Sequence, residues 1–207
     1  MSASTLHMRA AGGDDFIAAA RVRARSWRVA YEGLVPRSYP DAMADESSIR
    51  AWAQRASTSG VSRHHVAVLD SVVVGFTGVG ERTHHRRSQD VGEVFALYTD
   101  PSVWGVGVGR ALMQAALGDL RAHNYRHACL WVLVGNARPI KFYESAAFPA
   151  PGERAPPPAC DLPQFSNALR LTPRPLTPPR RPPPPAGSPP PRPPPPPGPR
   201  SRDLRAR

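Results

Sequence analysis

The sequence predicts an α/β (α+β) domain over residues 1–171, a mixed sheet flanked by helices, followed by a tail at 172–207 that builds no core. Three observations predict it. Stretches with helical and with strand periodicity alternate along the first 171 residues. A glycine-rich turn, Gly105-Val106-Gly107-Val108-Gly109, joins an apolar strand to a helix. From Pro173 to Arg207 the composition changes, with 17 of the 27 prolines in that segment.

Thr5–Ala10 reads as a first strand. Asp14 or Asp15 is placed to N-cap a helix beginning near Phe16, since a short carboxylate accepts from free first-turn amides. That helix stops around Gly33-Leu34-Val35-Pro36. A second helix, Glu46–Ser57, sets Ile49, Trp52 and Ala53 at i, i+3 and i+4. The period then changes to two. His65–Leu69 and Val72–Val79 are β-rich runs separated by Asp70-Ser71, a tight hairpin turn. Gly80–Asp90, with His84, His85, Arg86 and Arg87, reads as an exposed loop. Val91–Thr99 is the next strand, closed by Asp100-Pro101. Gly109–Ala122 has helical composition with Leu112, Ala115, Ala116, Leu117 and Leu120 on the buried side. Arg126–Val134 is an apolar strand, Asn136–Ala146 a helix and Gln164–Leu171 a closing strand. In the tail, Pro182–Pro185 and Pro193–Pro197 remove donors and favour extended polyproline II, so the tail is expected to be disordered.

Charge narrows the function classes. The tail carries eight arginines against Asp203 and supplies +7 of the net +11, leaving +4 for the domain. The basic balance therefore describes the tail, and no specific nucleic-acid partner is expected of the domain. Cys129 and Cys160 form no disulfide framework or paired metal-ligand spacing, and Cys129, in an apolar run, reads as a buried small hydrophobe. His64, His65, His84 and His85 have the pKa of usable bases but stand in polar surroundings, where exposure explains them, and lack acidic or Cys partners for a metal site. No metal is expected. Met1–Arg9 lacks the apolar core of a signal peptide and no 18-residue apolar run occurs, so no membrane association and a cytoplasmic location are expected.

The chemistry concentrates in Leu97–Arg110. Three glycines at alternate positions strip Cβ atoms from one side of a strand-to-helix turn, so a bulky anion can approach the backbone. The helix start offers unbonded amides and the positive end of a dipole. Arg110 adds a charge there, or is solvated on the helix surface. A phosphate loop of the Gly-x-x-x-x-Gly-Lys-Ser/Thr type is disfavoured, because Arg110 and Ala111 follow Gly109. A dinucleotide turn wants its third glycine one position later and an acid about 20 residues on, yet no Asp or Glu lies between Asp119 and Glu144. A glycine-rich turn without function is the plain alternative.

Asp100–Arg110 resembles the acyl-CoA-binding motif of the GNAT N-acetyltransferases, Gln/Arg-x-x-Gly-x-Gly/Ala, with Trp104 at the Gln/Arg position, Gly107 at the Gly and Gly109 at the Gly/Ala. Asn136-Ala137-Arg138-Pro139-Ile140-Lys141-Phe142-Tyr143-Glu144 resembles the family's Asn-x-x-Ala-x-x-Phe-Tyr segment, one helix and one strand further on. The similarity spans Thr5–Phe148, with Gln164–Leu171 a weaker match. It implies a mixed, mostly antiparallel central sheet, splayed at the acyl-CoA site, and acetyl-CoA as co-substrate. It also implies that backbone groups of Leu97 and Thr99 hold the pantetheine, that Gly105, Val106, Gly107, Val108, Gly109 and Arg110 form the pyrophosphate cradle, and that Tyr98 and Trp104 belong to the same cofactor-binding set. Asn136 bonds the pantetheine arm in this reading, or simply caps the helix. Tyr143 matches the family's general acid, which protonates the departing thiolate. Tyrosine suits that role because it is neutral at pH 7 and can donate. Phe142 and Phe148 read as core.

Only a free amine attacks a thioester, so a base is needed. Glu93, on the strand before the loop, is the candidate, directly or through water; a hydrogen-bonded structural carboxylate is the alternative. Ser26–Leu34 looks like the N-terminal signature of one bacterial subgroup, whose Trp27 and Tyr31 line the acceptor site or form an aromatic core pair. Two departures stand out: Ala147 where the family has Gly before Phe148, and the proline-laden Pro149–Pro158 where a strand runs in relatives. The expected function is acetyl transfer from acetyl-CoA to a primary amine on a small molecule or peptide, by direct attack in a ternary complex. A non-catalytic acyl-CoA sensor is the alternative, the tail as a ligand for proline-binding modules is a third reading, and a homodimer is left open.

Overall fold

The computed structural model describes residues 4–60, 62–81, 90–133, 135–146, 148, 154–155 and 164–171. These all fall in one compact unit, Met1–Arg174. Outside them lie His84, His85, Arg86, Arg87, Ala147, Pro149–Gly152, Pro156–Pro158, Cys160 and the whole 172–207 tail, and with them the expectations for those positions.

Chain order is β1 (Leu6–Ala10), α1 (Asp15–Ala30), α2 (Ser38–Ala44), α3 (Glu46–Thr58), β2 (Ser62–Leu69), β3 (Val72–Glu81), β4 (Val91–Thr99), a 3₁₀ turn (Pro101–Val103), α4 (Val108–Ala122), β5 (His127–Leu133), α5 (Ala137–Ser145), β6 (Arg154–Ala155) and β7 (Gln164–Arg170). The sheet order is β1-β2-β3-β4-β5-β7-β6, and every described pair is antiparallel except β4–β5. The predicted class, a mixed and mostly antiparallel sheet flanked by helices, is what forms. Asp70 and Ser71 take φ of 48° and 68°, the left-handed pair that matches the twist of a two-residue hairpin, and join β2 to β3.

Three details differ from expectation. Neither Asp14 nor Asp15 caps α1 in the expected way: Asp14 occupies the cap position without a side-chain bond. Asp15 instead accepts from the Gly12 amide at 3.0 Å and pairs with Arg9 of β1 at 2.9 Å, because an arginine outcompetes the helix amides for its carboxylate. The short helix α2, seeded by Pro40 in its first turn, occupies what read as a connection. β3 runs on through Gly80 and Glu81, which read as loop, since both still pair with β4.

The sheet is covered on both faces. Ala19 and Val22 of α1, with Trp52 of α3, pack on Val66, Val68, Phe76 and Ala96. On the other face Met113, Ala116, Leu117 and Leu120 of α4 cover Val79, Val94, Ala128 and Leu130, and Tyr143 and Phe148 extend that cluster. Leu112 and Val108 pack on Ala67 and Val74. No described helix is long and apolar enough to cross a membrane.

Asp119, near the end of α4, ties this helix to β2. Its carboxylate accepts from Arg63 Nε at 2.6 Å and meets His65 Nε2 at 2.9 Å, with its side chain only 10% exposed. Burial works to raise its pKa, but the bonds from Arg63 and His65 win and hold it below the usual carboxylate range. A carboxyl depressed by folding stabilises above its unfolded pKa, and that contribution is lost as pH falls through the folded value. Asp119→Asn is therefore expected to lower stability by about 1–2 kcal/mol at neutral pH. Urea denaturation of the variant should also lose part of the wild type's decline between about pH 5 and pH 3.

Candidate functional site

β4 and β5 pair only from Val91↔His127 to Val94↔Leu130. Beyond that register β4 continues to Thr99 and β5 to Leu133, and the strands diverge to open a slot in the sheet. Each is held from outside, β4 by β3 as far as Thr99↔Gly75 and β5 by β7 as far as Leu133↔Gln164. Hydrogen bonds identify the β4 edge that faces the slot. Thr77 Oγ1 donates to the Ala96 carbonyl and the Asp100 amide donates to the Val74 carbonyl, both at 2.8 Å, so residues 96 and 100 turn toward β3. Backbone groups alternate along a strand, which leaves those of Leu97 and Thr99 facing the slot. Trp104 Nε1 donates to the Thr99 carbonyl at 3.1 Å and so engages one of them.

The turn beyond β4 is fixed by Asp100. Its carboxylate accepts from Ser102 N at 3.0 Å, Ser102 Oγ at 2.7 Å and Arg25 Nε of α1 at 2.6 Å. Burial works to raise its pKa, and these donors together hold it below the ordinary range. Gly105 and Gly107 then take φ of 85° and 95°, and Gly107 is the residue on which α4 starts. A Cβ at either position meets open space, so the requirement is the left-handed backbone rather than room. Gly109 lies inside the helix, where a Cβ would sit 3.6 Å from the Phe142 ring in ordinary contact. Two of the three glycines are thus demanded by the turn; the third is not. The first helical bond is Ala111 N to Gly107 O at 3.0 Å, so the amides of Val108, Gly109 and Arg110 precede the ladder and point out of the helix start.

Slot and turn share one cleft of about 390 Å³. Leu97, Tyr98, Thr99, Trp104, Gly105, Gly107, Gly109 and Arg110 line one wall, Asn136, Arg138, Pro139, Phe142 and Tyr143 of the α5 segment another, and Ser26, Ala30 and Tyr31 of α1 an end. Tyr143 is 8% exposed. Burial, reinforced by neighbouring Tyr98, pushes its phenol up, so it keeps its proton through neutral pH. Asn136, 4% exposed, occupies the cap position of α5, yet its side chain makes no capping bond and contributes to the cleft instead. The Arg138 guanidinium carbon lies 4.1 Å from the Trp104 ring centroid, a cation–π contact between α5 and the turn.

A splayed parallel pair, a glycine-rich helix start at its end and a buried tyrosine beside it form one arrangement, and the acetyltransferase (GNAT) family model matches it over residues 21–148. The chain belongs to the GNAT family. Among its relatives, a mycothiol acetyltransferase of Acidothermus cellulolyticus (strain ATCC 43068 / DSM 8971 / 11B) is 42% identical over 60 residues, 29% of this chain and 18% of the relative. A mycothiol acetyltransferase of Amycolatopsis mediterranei (strain U-32) is 33% identical over 141 residues, 66% of this chain and 43% of that protein. The match thus spans less than half the length of these curated relatives. The crystal structure of the PaiA N-acetyltransferase of Thermoplasma acidophilum in complex with coenzyme A superposes with a TM-score of 0.63 at 16% identity, covering 80% of this chain and 99% of that one.

Of the residues singled out from sequence in this GNAT chain, Tyr31, Leu97, Tyr98, Thr99, Trp104, Gly105, Gly107, Gly109, Arg110, Asn136 and Tyr143 meet in the cleft. Val106 is 70% exposed at the tip of the turn, whereas the Val108 side chain is buried in the core. Glu93 is buried on β4, and its chain neighbours Val94 and Phe95, rather than Glu93 itself, line the cleft. Trp27 stacks on Tyr31, centroids 4.2 Å apart, and only Tyr31 reaches the cleft. The two rings form a half-buried aromatic pair. Phe142, read as core, packs against the core cluster and also lines the cleft, and Phe148 is core as expected. The exposure expected of His64 is wrong. It lies on β2, 9% exposed, between Phe16 and Phe95, and burial, with His65 adding to it, lowers its pKa. Its side chain alternates inward along the strand, which the run of polar residues around it masks. Arg138 was missed, because nothing in its spacing shows that Trp104 will receive it.

The contrast between glycines is measurable. Gly107→Ala should destabilise by about 1 kcal/mol, the expense of a left-handed alanine. Gly109→Ala should be neutral or stabilising, and equal losses in chemical denaturation would contradict this assignment.

Proposed function

We propose that this chain transfers the acetyl group of acetyl-CoA directly to the free amine of a small molecule. The observation that carries the reading is the protonated, buried Tyr143 beside the slot where β4 and β5 part, in one cleft with the helix start. Acetyl-CoA supplies an activated thioester. The chain's own groups fit its polar parts: Leu97 and Thr99 offer strand-edge bonds to the pantetheine amides, and the amides of Val108, Gly109 and Arg110 offer donors to the pyrophosphate. Asn136, turned into the cleft, offers its amide to the pantetheine arm. Arg138 lines the same cleft, and its contact with the Trp104 ring face uses none of its N–H donors, which can serve the pyrophosphate.

In this reading Tyr143 donates its proton to the departing sulfur. A phenol that stays neutral is the right donor, and burial keeps it so. Glu93 accepts the proton lost by the ammonium, and because its neighbours line the cleft in its place, the transfer is relayed rather than direct. Tyr31, with Ser26 and Ala30, faces the acceptor. The mycothiol acetyltransferase relatives support a small-molecule amine over a peptide. Residues 1–171 form the transferase domain and 172–207 an appended Pro/Arg tail in this assignment.

Tyr143→Phe should lower kcat about 100-fold while leaving KM for acetyl-CoA unchanged, read by thiol release across a panel of amines. Because the phenol is raised, the wild-type rate should show no loss of this acid up to about pH 10, where an ordinary tyrosine ionises. Binding of coenzyme A without turnover on any amine would turn the assignment to a sensor. Arg138→Ala should weaken coenzyme A binding about tenfold in calorimetry, the size of one charge-assisted contact. KM for S-acetylpantetheine, which lacks the pyrophosphate, should be unmoved.

A further inference from the structure

α1 carries four arginines, at 21, 23, 25 and 28. Three of them meet carboxylates: Arg21 with Glu46 at 3.4 Å, Arg25 with Asp100 at 2.6 Å and Arg28 with Asp41 at 3.2 Å. Arg23 does not. Its guanidinium carbon lies 5.7 Å from the Trp27 ring centroid and 5.8 Å from that of Trp52, so the group sits between two indoles. No carboxylate among the described residues pairs with it, and the acids of α2 and α3 are committed elsewhere, Asp41 to Arg28 and Glu46 to Arg21 and Arg50.

Arg23 also borders an open, solvent-facing cavity of about 510 Å³ lined by α1, α2 and α3. Ile49, Met43 and Trp52 give it an apolar body. Arg55, likewise without a carboxylate among the described residues, and Tyr39 add donors. The indole faces attract the guanidinium but accept none of its five N–H groups. A half-buried cation with unanswered donors, above an apolar surface, is complementary to one kind of small molecule, and the volume lies in the range of small-molecule sites. The cavity shares no lining residue with the reaction cleft.

We propose that this cavity is a second ligand site, for an organic carboxylate with an apolar body. The carboxylate takes the planar fork of Arg23, and the body lies on Trp52, Met43 and Ile49. The site stands apart from the chemistry yet adjoins it, since Trp27, which stacks under Arg23, also stacks on the cleft residue Tyr31.

The test titrates the full chain with phenylacetate and with its neutral isostere phenylacetamide, followed by tryptophan fluorescence and calorimetry, with and without saturating coenzyme A. Saturable phenylacetate binding is expected, about tenfold tighter than the amide and weakened about tenfold by Arg23→Gln. Coenzyme A should not displace it. Absence of saturable binding to wild type, equal affinity for the amide, or displacement by coenzyme A would each overturn the proposal. So would unchanged affinity in an Arg23→Gln protein of wild-type circular dichroism. If that variant does not fold, Arg23→Lys keeps the charge and removes the fork; it should weaken binding, and an unchanged affinity refutes the assignment. None of these outcomes depends on acetyl transfer, so the proposal and the transferase reading can fail separately.

Discussion

Four residues of parallel pairing, Val91–Val94 against His127–Leu130, organise everything else in this molecule. Parallel neighbours cannot be joined by a hairpin; they require a crossover, and α4 is that crossover. A right-handed crossover that starts at the carboxyl end of β4 must place its helix start beside the same end of the sheet. The slot and the glycine-rich turn are therefore two consequences of one connection. The antiparallel strands on either side make the divergence tolerable. Because β3 and β7 keep pairing past the point of separation, only the facing edges of β4 and β5 give up backbone partners. Those edges then become the part of the fold that a strand-like ligand can complete.

The charges follow the same division of labour. Asp100 and Asp119 sit at the two ends of the β4–α4 unit, and each is held ionised by an arginine from a distant element, Arg25 of α1 and Arg63 of β2. These pairs fix the unit against both neighbours. The described residues lining the cleft include no carboxylate, while Arg110 and Arg138 stand at its mouth. The acids are spent on scaffolding and the positive charge is left beside the helix start, which adds to its dipole field rather than cancelling it.

Much of this was legible in the order of residues, for identifiable reasons. Strand and helix periods are local, so β3, β4, α4 and α5 appear within a residue or two of their true ends. Asp70-Ser71 and Gly105–Gly107 are turn chemistry, and turn chemistry is written in the residues themselves. Tyr143 and Asn136 were accessible because they lie in one short helical segment. What escaped depends on long-range contact. The inward turn of His64 follows from register with Gly78 and from Phe16 on helix α1. Asp15 is diverted from its cap by Arg9 on a neighbouring strand. Phe142 lines the cleft because α5 lies beside the helix start, which its own sequence cannot state.

Trp104 gathers these threads at a single position. The resemblance to the family places glutamine or arginine there, and an indole looks like a loss of polarity next to an anion site. In the folded protein the indole N–H reaches back to the Thr99 carbonyl, closing the turn onto the strand that carries it. The ring face meanwhile receives Arg138 from α5. A polar side chain at 104 would present its own charge or amide to the cleft mouth; the indole instead braces the turn and holds a guanidinium supplied by another element. A positive charge is thus brought beside position 104 by α5 although residue 104 itself carries none. That contact also links the turn to the helix bearing Tyr143, so the helix-start end and the Tyr143 end of the cleft are joined to each other.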